Sequence, residues 1–255
     1  MFRPLVLLLA LLTACDTSPI VWADPQAVAD RPAASHLTVD SSGQARFVPD
    51  TATIPFAPPR GCPASVRIAR GKTRTYAAWW SVRPDSSAVL YSASSGDDGK
   101  TWGTPAPVDT LDVSSRGCDR PAPAVATSGD DLHVAYSMIA PEGTGVFFAH
   151  FMGSMLHSPV AVIYGERLVS TAIAAEGDRV AVAYEEPNGT RQQVDVSLSF
   201  TQGHIFERQA IASRSIDAAS SPSVALAGSA IAVGWITRRP NDVAGTQIIR
   251  TGRIK

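Results

Sequence analysis

Thr75-Tyr76-Ala77-Ala78-Trp79, Leu132-His133-Val134-Ala135-Tyr136, Val180-Ala181-Val182-Ala183-Tyr184 and Ile231-Ala232-Val233-Gly234-Trp235 are four versions of one apolar run ending in an aromatic. The final aromatics are 57, 48 and 51 residues apart. Each run follows a small-residue strand (64–69, 122–127, 171–175, 223–227) and a polar turn such as Ser128-Gly129-Asp130-Asp131 or Glu176-Gly177-Asp178. A loop and a third strand come after each aromatic, at 88–93, 146–152, 194–199 and 247–251. A recurring unit of about 50 residues with three or four antiparallel strands is a blade of a β-propeller. Runs apolar on both faces suit it, because an inner strand is sandwiched between neighbouring blades.

Working outward, the third strand of the first unit leads into Ser95-Gly96-Asp97-Asp98-Gly99-Lys100-Thr101-Trp102, with Asp97 18 residues after Trp79. The same offset from Trp235 reaches Arg253, so the fourth unit is expected to lack its outermost strand. A bare sheet edge must be paired or protected. The expected donor is an N-terminal strand, 36–39 or 45–48. The expectation is therefore an all-β fold, a small propeller of four blades (five is the alternative) closed by an N-terminal strand, with the four repeats spanning 60–255.

Composition agrees. The 19 Gly and 19 Pro argue against a helical bundle. With 22 Lys+Arg against 23 Asp+Glu there is no basic surplus to displace counterions from a phosphate backbone, so no nucleic-acid partner is expected.

Met1-Phe2-Arg3, the apolar run from Pro4 to Leu12 and the small residues before Cys15 read as a secretory signal over 1–14. The run is too short for a permanent span, which needs roughly 20 residues. The segment resembles a bacterial lipoprotein signal, in which cleavage before the cysteine is followed by acylation. That resemblance implies lipidation at Cys15 and a location in the bacterial cell envelope, anchored to the periplasmic face of a membrane. Residues 15–59 then read as partly a tether that carries the closing strand.

The eight residues 95–102 match S-x-D-x-G-x-T-W at every fixed position: Ser95, Asp97, Gly99, Thr101 and Trp102. Asp97 can accept turn N–H groups, Gly99 permits positive φ, and Trp102 folds back as an apolar plug. The stretch resembles the Asp-box, or bacterial neuraminidase repeat, of sialidase-like propellers. Ser199-Phe200-Thr201-Gln202-Gly203-His204-Ile205-Phe206 looks like a decayed copy, with Thr201 in place of the Asp. In that family these turns are structural and lie away from the active-site face.

Sialidase chemistry requires an arginine triad for the substrate carboxylate, a Tyr nucleophile polarised by a Glu, and an Asp acid/base. Arg60, Arg116 and Arg120 stand at blade starts where carboxylate-binding arginines belong, and Tyr184-Glu185-Glu186 is the one Tyr with adjacent carboxylates. The arginine-isoleucine-proline motif is not intact at Arg60-Gly61-Cys62-Pro63 or at Val66-Arg67-Ile68-Ala69, and the last unit has no Tyr.

With Cys15 acylated, two cysteines remain, each in the triplet Arg-Gly-Cys: Cys62 and Cys118. Their spacing nearly equals that between Trp79 and Tyr136, so they occupy equivalent positions in adjacent blades. A disulfide suits an oxidising compartment, with free thiols or a metal pair as the alternatives. Finally, a two-residue hairpin at Gly153-Ser154 would set Met152 opposite Met155 and His150 opposite His157, all on one face. Such a set suits Cu(I), but gap-filling methionines and a solvated histidine pair are the better account of it.

These readings converge on a membrane-anchored extracytoplasmic propeller, non-catalytic, serving as a protein-binding or scaffolding module such as an extrinsic subunit of a membrane complex. The alternatives are a sialidase-like glycoside hydrolase acting on acidic sugars and a periplasmic copper-binding protein. The sequence implies no cofactor and leaves a glycan ligand open.

Overall fold

The structure, a computed structural model, describes residues 18–255 apart from 30, 51–53, 59–60, 154, 190–191, 214–216 and 240–244. Four short strands come first: β1 (Ile20–Trp22), β2 (Gln26–Val28), β3 (Ser35–Val39) and β4 (Ala45–Pro49). Three four-stranded antiparallel sheets and a fourth of five strands follow. The first holds β5 (Arg67–Arg70), β6 (Thr75–Val82), β7 (Ala88–Ser95) and β8 (Ala106–Asp109), and the second holds β9 (Ala124–Ser128), β10 (Asp131–Ala140), β11 (Gly143–Met152) and β12 (Met155–Gly165). The third holds β13 (Thr171–Glu176), β14 (Arg179–Glu185), β15 (Val194–Ser199) and β16 (Arg208–Ile211). The fourth sheet has three strands from its own repeat, β17 (Ala218–Ala227), β18 (Ala230–Arg238) and β19 (Thr246–Ile254).

The expected vacancy on that last sheet exists, and N-terminal residues cover it, but the donor differs from expectation. Ile20 pairs with Ile254 and Trp22 with Gly252, while Gln26 to Val28 pair with Ile249 to Gln247. Strands 36–39 and 45–48 instead pair with each other as the β3–β4 hairpin. The reason is local. Asp40 accepts N–H groups from Ser42 and Gln44, and Gly43 takes φ +94°, so a tight turn joins two strands already adjacent in sequence. Closing that short loop costs far less chain entropy than reaching the C-terminal strand. The segment read as partly a tether thus carries all four of these strands.

Each sheet packs face to face on the next through the residues that made the sequence repeat visible. Trp80, Leu90, Tyr136 and Phe147 share a core between the first and second sheets. Phe148, Val182 and Tyr184 share one between the second and third. Ile20, Val196, Ile231 and Trp235 join the third and fourth, and Leu37 and Phe47 seat the hairpin on Ala225, Ala232 and Ile249. On its other face the first sheet buries Trp79 beneath Phe56 and Trp102. The inner strands β5, β9, β13 and β17 line one cavity of about 340 Å³, and β3 of the hairpin lines it with them. The arrangement is that of a small sialidase-like propeller: four blades, with a two-stranded hairpin seated on the fourth.

The cysteines are joined. Cys62 and Cys118 form a disulfide with Cα atoms 5.5 Å apart, linking the start of the first blade to the start of the second. Closing a loop of this length contributes on the order of 4 kcal/mol in the loop-entropy account.

Candidate functional site

Two ends of the propeller offer different chemistry. At the end where the inner strands begin lies the axial cavity, walled by Ser, Thr, Ala and Pro side chains. Its ionisable lining residues among those described are His36 and Arg67. His36 pairs with Asp50 at 2.8 Å, and Arg67 donates to the Ala64 and Val66 carbonyls.

Arg116 and Arg120, two of the arginines of the carboxylate-binding reading, do not line this cavity. Arg120 is buried, with its side chain 1% exposed, and is held by Asp112 at 2.8 Å, by the Gly117 and Ser86 carbonyls, and by the Trp80 ring. It clamps the loop carrying Cys118 onto the first blade. Arg116 binds Asp119, three residues on, at 3.2 Å. Arg60 and Cys15 lie outside the described residues.

Tyr184 pairs with Thr171 and Asp195 at the cavity end of the third sheet, yet it is wholly buried. Its hydroxyl lies 3.0 Å from Ser197 Oγ and accepts from Gln209 Nε2, and burial raises its pKa. Glu185 accepts the Ser221 N–H. Beside them stands Asp195, which the sequence reading did not single out. It is 2% exposed and is pushed up to about 7 by burial and by the neighbouring Glu186 carboxyl. A tyrosine beside a raised carboxyl has the composition of an acid/base site, but here it is sealed inside the blade.

The opposite end carries the turns. Asp97 accepts the Thr101 N–H at 2.8 Å, the Thr101 hydroxyl at 2.6 Å and the Ser95 hydroxyl at 2.7 Å, and these bonds hold its carboxyl down at about 2. Ser95 Oγ accepts the Gly99 N–H. The copy in the third sheet keeps the path: Ser199 Oγ accepts the Gly203 N–H, and Gln202 and Gly203 sit at φ +57° and +93° where Asp98 and Gly99 sit at +57° and +84°. Phe206 replaces Trp102 as the plug and packs edge-on against Phe148.

At this same end the β11–β12 hairpin has the expected register, His150 opposite His157 and Met152 opposite Met155. The methionines diverge in setting, since Met155 is 61% exposed. The imidazoles converge. His133 pairs with His150 from β10, so three histidines form a ladder across three strands, with ring centroids 5.8 and 4.4 Å apart. Phe151 and Leu156 point to the first-sheet core, so the ladder faces the third sheet. From there His204, at the Lys100 position of the decayed turn, closes on His150 and His157 at 4.8 and 5.1 Å between centroids. The ligand nitrogens of His150, His157 and His204 all lie within 4.8 Å of one another. His133 and His204 could be found from sequence only by aligning the repeats and asking which positions face the next blade.

Known proteins add the following. No family model matches the chain, and no curated protein matches it. Among solved structures, it is similar to a Trypanosoma rangeli sialidase in complex with the inhibitor DANA (12% identity, TM-score 0.48, 85% of this chain and 40% of that one). It is similar to a xylan β-1,4-xylosidase from Bacillus halodurans (11%, 0.44, 81% and 45%). A neuraminidase-like protein from A/bat/Guatemala aligns at 11% and 0.49, over 85% and 59%. In each case the chain spans less than two thirds of the other protein's length.

Proposed function

We propose that this protein is an extracytoplasmic binding module, tethered to a membrane through Cys15, whose rigid propeller presents loops to a protein partner rather than turning over a substrate. What supports the reading is the commitment of the side chains a sialidase mechanism would use. Arg120 is consumed in a buried ion pair with Asp112, and the Tyr184 hydroxyl is enclosed with Ser197 and Gln209. A guanidinium that must hold a substrate carboxylate and a nucleophile that must reach an anomeric carbon both need access. The disulfide fits an oxidising compartment.

The test uses the full chain in its native membrane. Cys15→Ala moves the protein to the soluble fraction, and detergent-solubilised wild type retains a stoichiometric membrane partner. A fluorogenic sialoside is left intact. Robust turnover that disappears in Arg120→Ala would overturn the reading in favour of a glycosidase on acidic sugars.

A further inference from the structure

Four of the five histidines in this chain stand at one corner between the second and third sheets. We infer that His150, His157 and His204 form a binding site for a divalent first-row transition-metal ion of the zinc type, cross-linking two blades at the end of the propeller remote from the axial cavity. This goes beyond the tethered-binder reading and does not depend on it.

The donor geometry is close to what such an ion demands. Two nitrogens bonded at about 2.05 Å in a tetrahedron lie about 3.3 Å apart. His204 Nε2 and His157 Nδ1 are 3.3 Å apart. His204 Nδ1 lies 2.6 Å from the Thr201 carbonyl oxygen, which only accepts, so Nδ1 carries the hydrogen and the lone pair is on Nε2. A ring whose far nitrogen donates to a backbone carbonyl is the usual outer-shell arrangement of a metal-binding histidine. The proton between His157 and His204 is what an ion would replace, shifting to the other ring nitrogen of His157 and leaving both rings neutral.

The second observation is independent of spacing. His150 is 2% exposed, and its Nε2 is buried with no hydrogen-bond partner. Unpaired buried polar atoms are costly, and apolar or aromatic packing does not require nitrogen at this position. His204 is exposed and leaves a route for the ion and room for a fourth, solvent ligand. With Met155 turned largely to solvent, the set is three imidazoles rather than two imidazoles and two thioethers, which favours a divalent ion over Cu(I).

The experiment is titration of the untagged full chain with Zn²⁺ against a chromophoric competitor, repeated with Co²⁺ to read coordination from its visible absorption. Wild type should take up one equivalent, show the strong bands of a tetrahedral cobalt site, and melt at a higher temperature with Zn²⁺ present. His204→Ala, at an exposed turn position, should fold normally yet weaken Zn²⁺ binding at least about 10-fold and lose the cobalt bands. His157→Ala should do the same, and His36→Ala should change nothing. Absence of Zn²⁺ and Co²⁺ uptake by wild type, or uptake unaltered in both His204→Ala and His157→Ala, would overturn the assignment.

Discussion

The first and third sheets carry the same turn at the same corner. Both take positive φ at the same two positions, yet one holds itself together through a carboxylate and the other through hydroxyls. In the first, Asp97 gathers three donors. In the third, Thr201 offers one hydroxyl, which lies 3.2 Å from Ser199 Oγ and accepts the Ile205 N–H at 3.2 Å. The path persists because Ser and Gly, present in both, satisfy the inner N–H and the positive φ. Once those two positions are kept, the Asp position is free to drift, and the Lys position can become His204 facing a neighbour.

The largest expected effect tests what the first sheet has and the third lacks. Replacing Cys62 and Cys118 with Ser should destabilise the protein by about 4 kcal/mol, read as a lower urea midpoint, with no change at the histidine corner. Next comes the glycine shared by both turns. A Cβ at Gly203 would strike the Phe148 ring, and one at Gly99 would strike Ile54. Gly203→Ala and Gly99→Ala should each cost about 3 kcal/mol from overpacking and strained φ. A tolerated Gly203→Ala would mean that the decayed turn no longer matters to packing.

Two smaller effects depend on pH. Asp195, at the other end of the third sheet, is raised to about 7 from 3.8, so between those values the folded protein binds more protons than the unfolded chain. Its contribution to stability therefore falls as pH rises from about 4 to about 7 and is flat above. Asp195→Asn should remove that slope, making the variant's melting temperature gain on wild type across the window. Asp97 has the opposite sign. Its lowered pKa stabilises the fold above about 4, and this contribution is lost as pH falls toward 2. Asp97→Asn should flatten that acid limb, whereas Thr201→Ala should leave it unchanged and lower the melting temperature less.

Much of this was legible in the sequence because its causes are local or repeated. Burial of both faces of β6, β10, β14 and β18 demands apolar runs, and a two-residue hairpin at Gly153 fixes which side chains oppose each other. The cysteine pair was legible because equivalent positions in adjacent blades converge. The donor of the outer strand was not: Ile20–Trp22 is three residues long, too short for period-two alternation to register, whereas 36–39 and 45–48 alternate clearly and are occupied by each other. Nor was the commitment of Arg120, whose partner Asp112 looks like an ordinary loop acid until the loop folds back.

The sequence by itself determined the strand content and the turn chemistry, which neighbours a few residues apart set, and the recurrence of that local pattern gave the repeat and left the last sheet one strand short. Tertiary structure alone decided which segment supplies that strand, which charged groups are spent on holding loops, and that His133, His150, His157 and His204 share a corner. Those outcomes turn on contacts between distant chain segments: Arg120 with Ser86, 34 residues apart, His157 with His204, 47 apart, and Ile20 with Ile254. There the competition is between loop-closure entropy and packing across sheets, and no local pattern records its result.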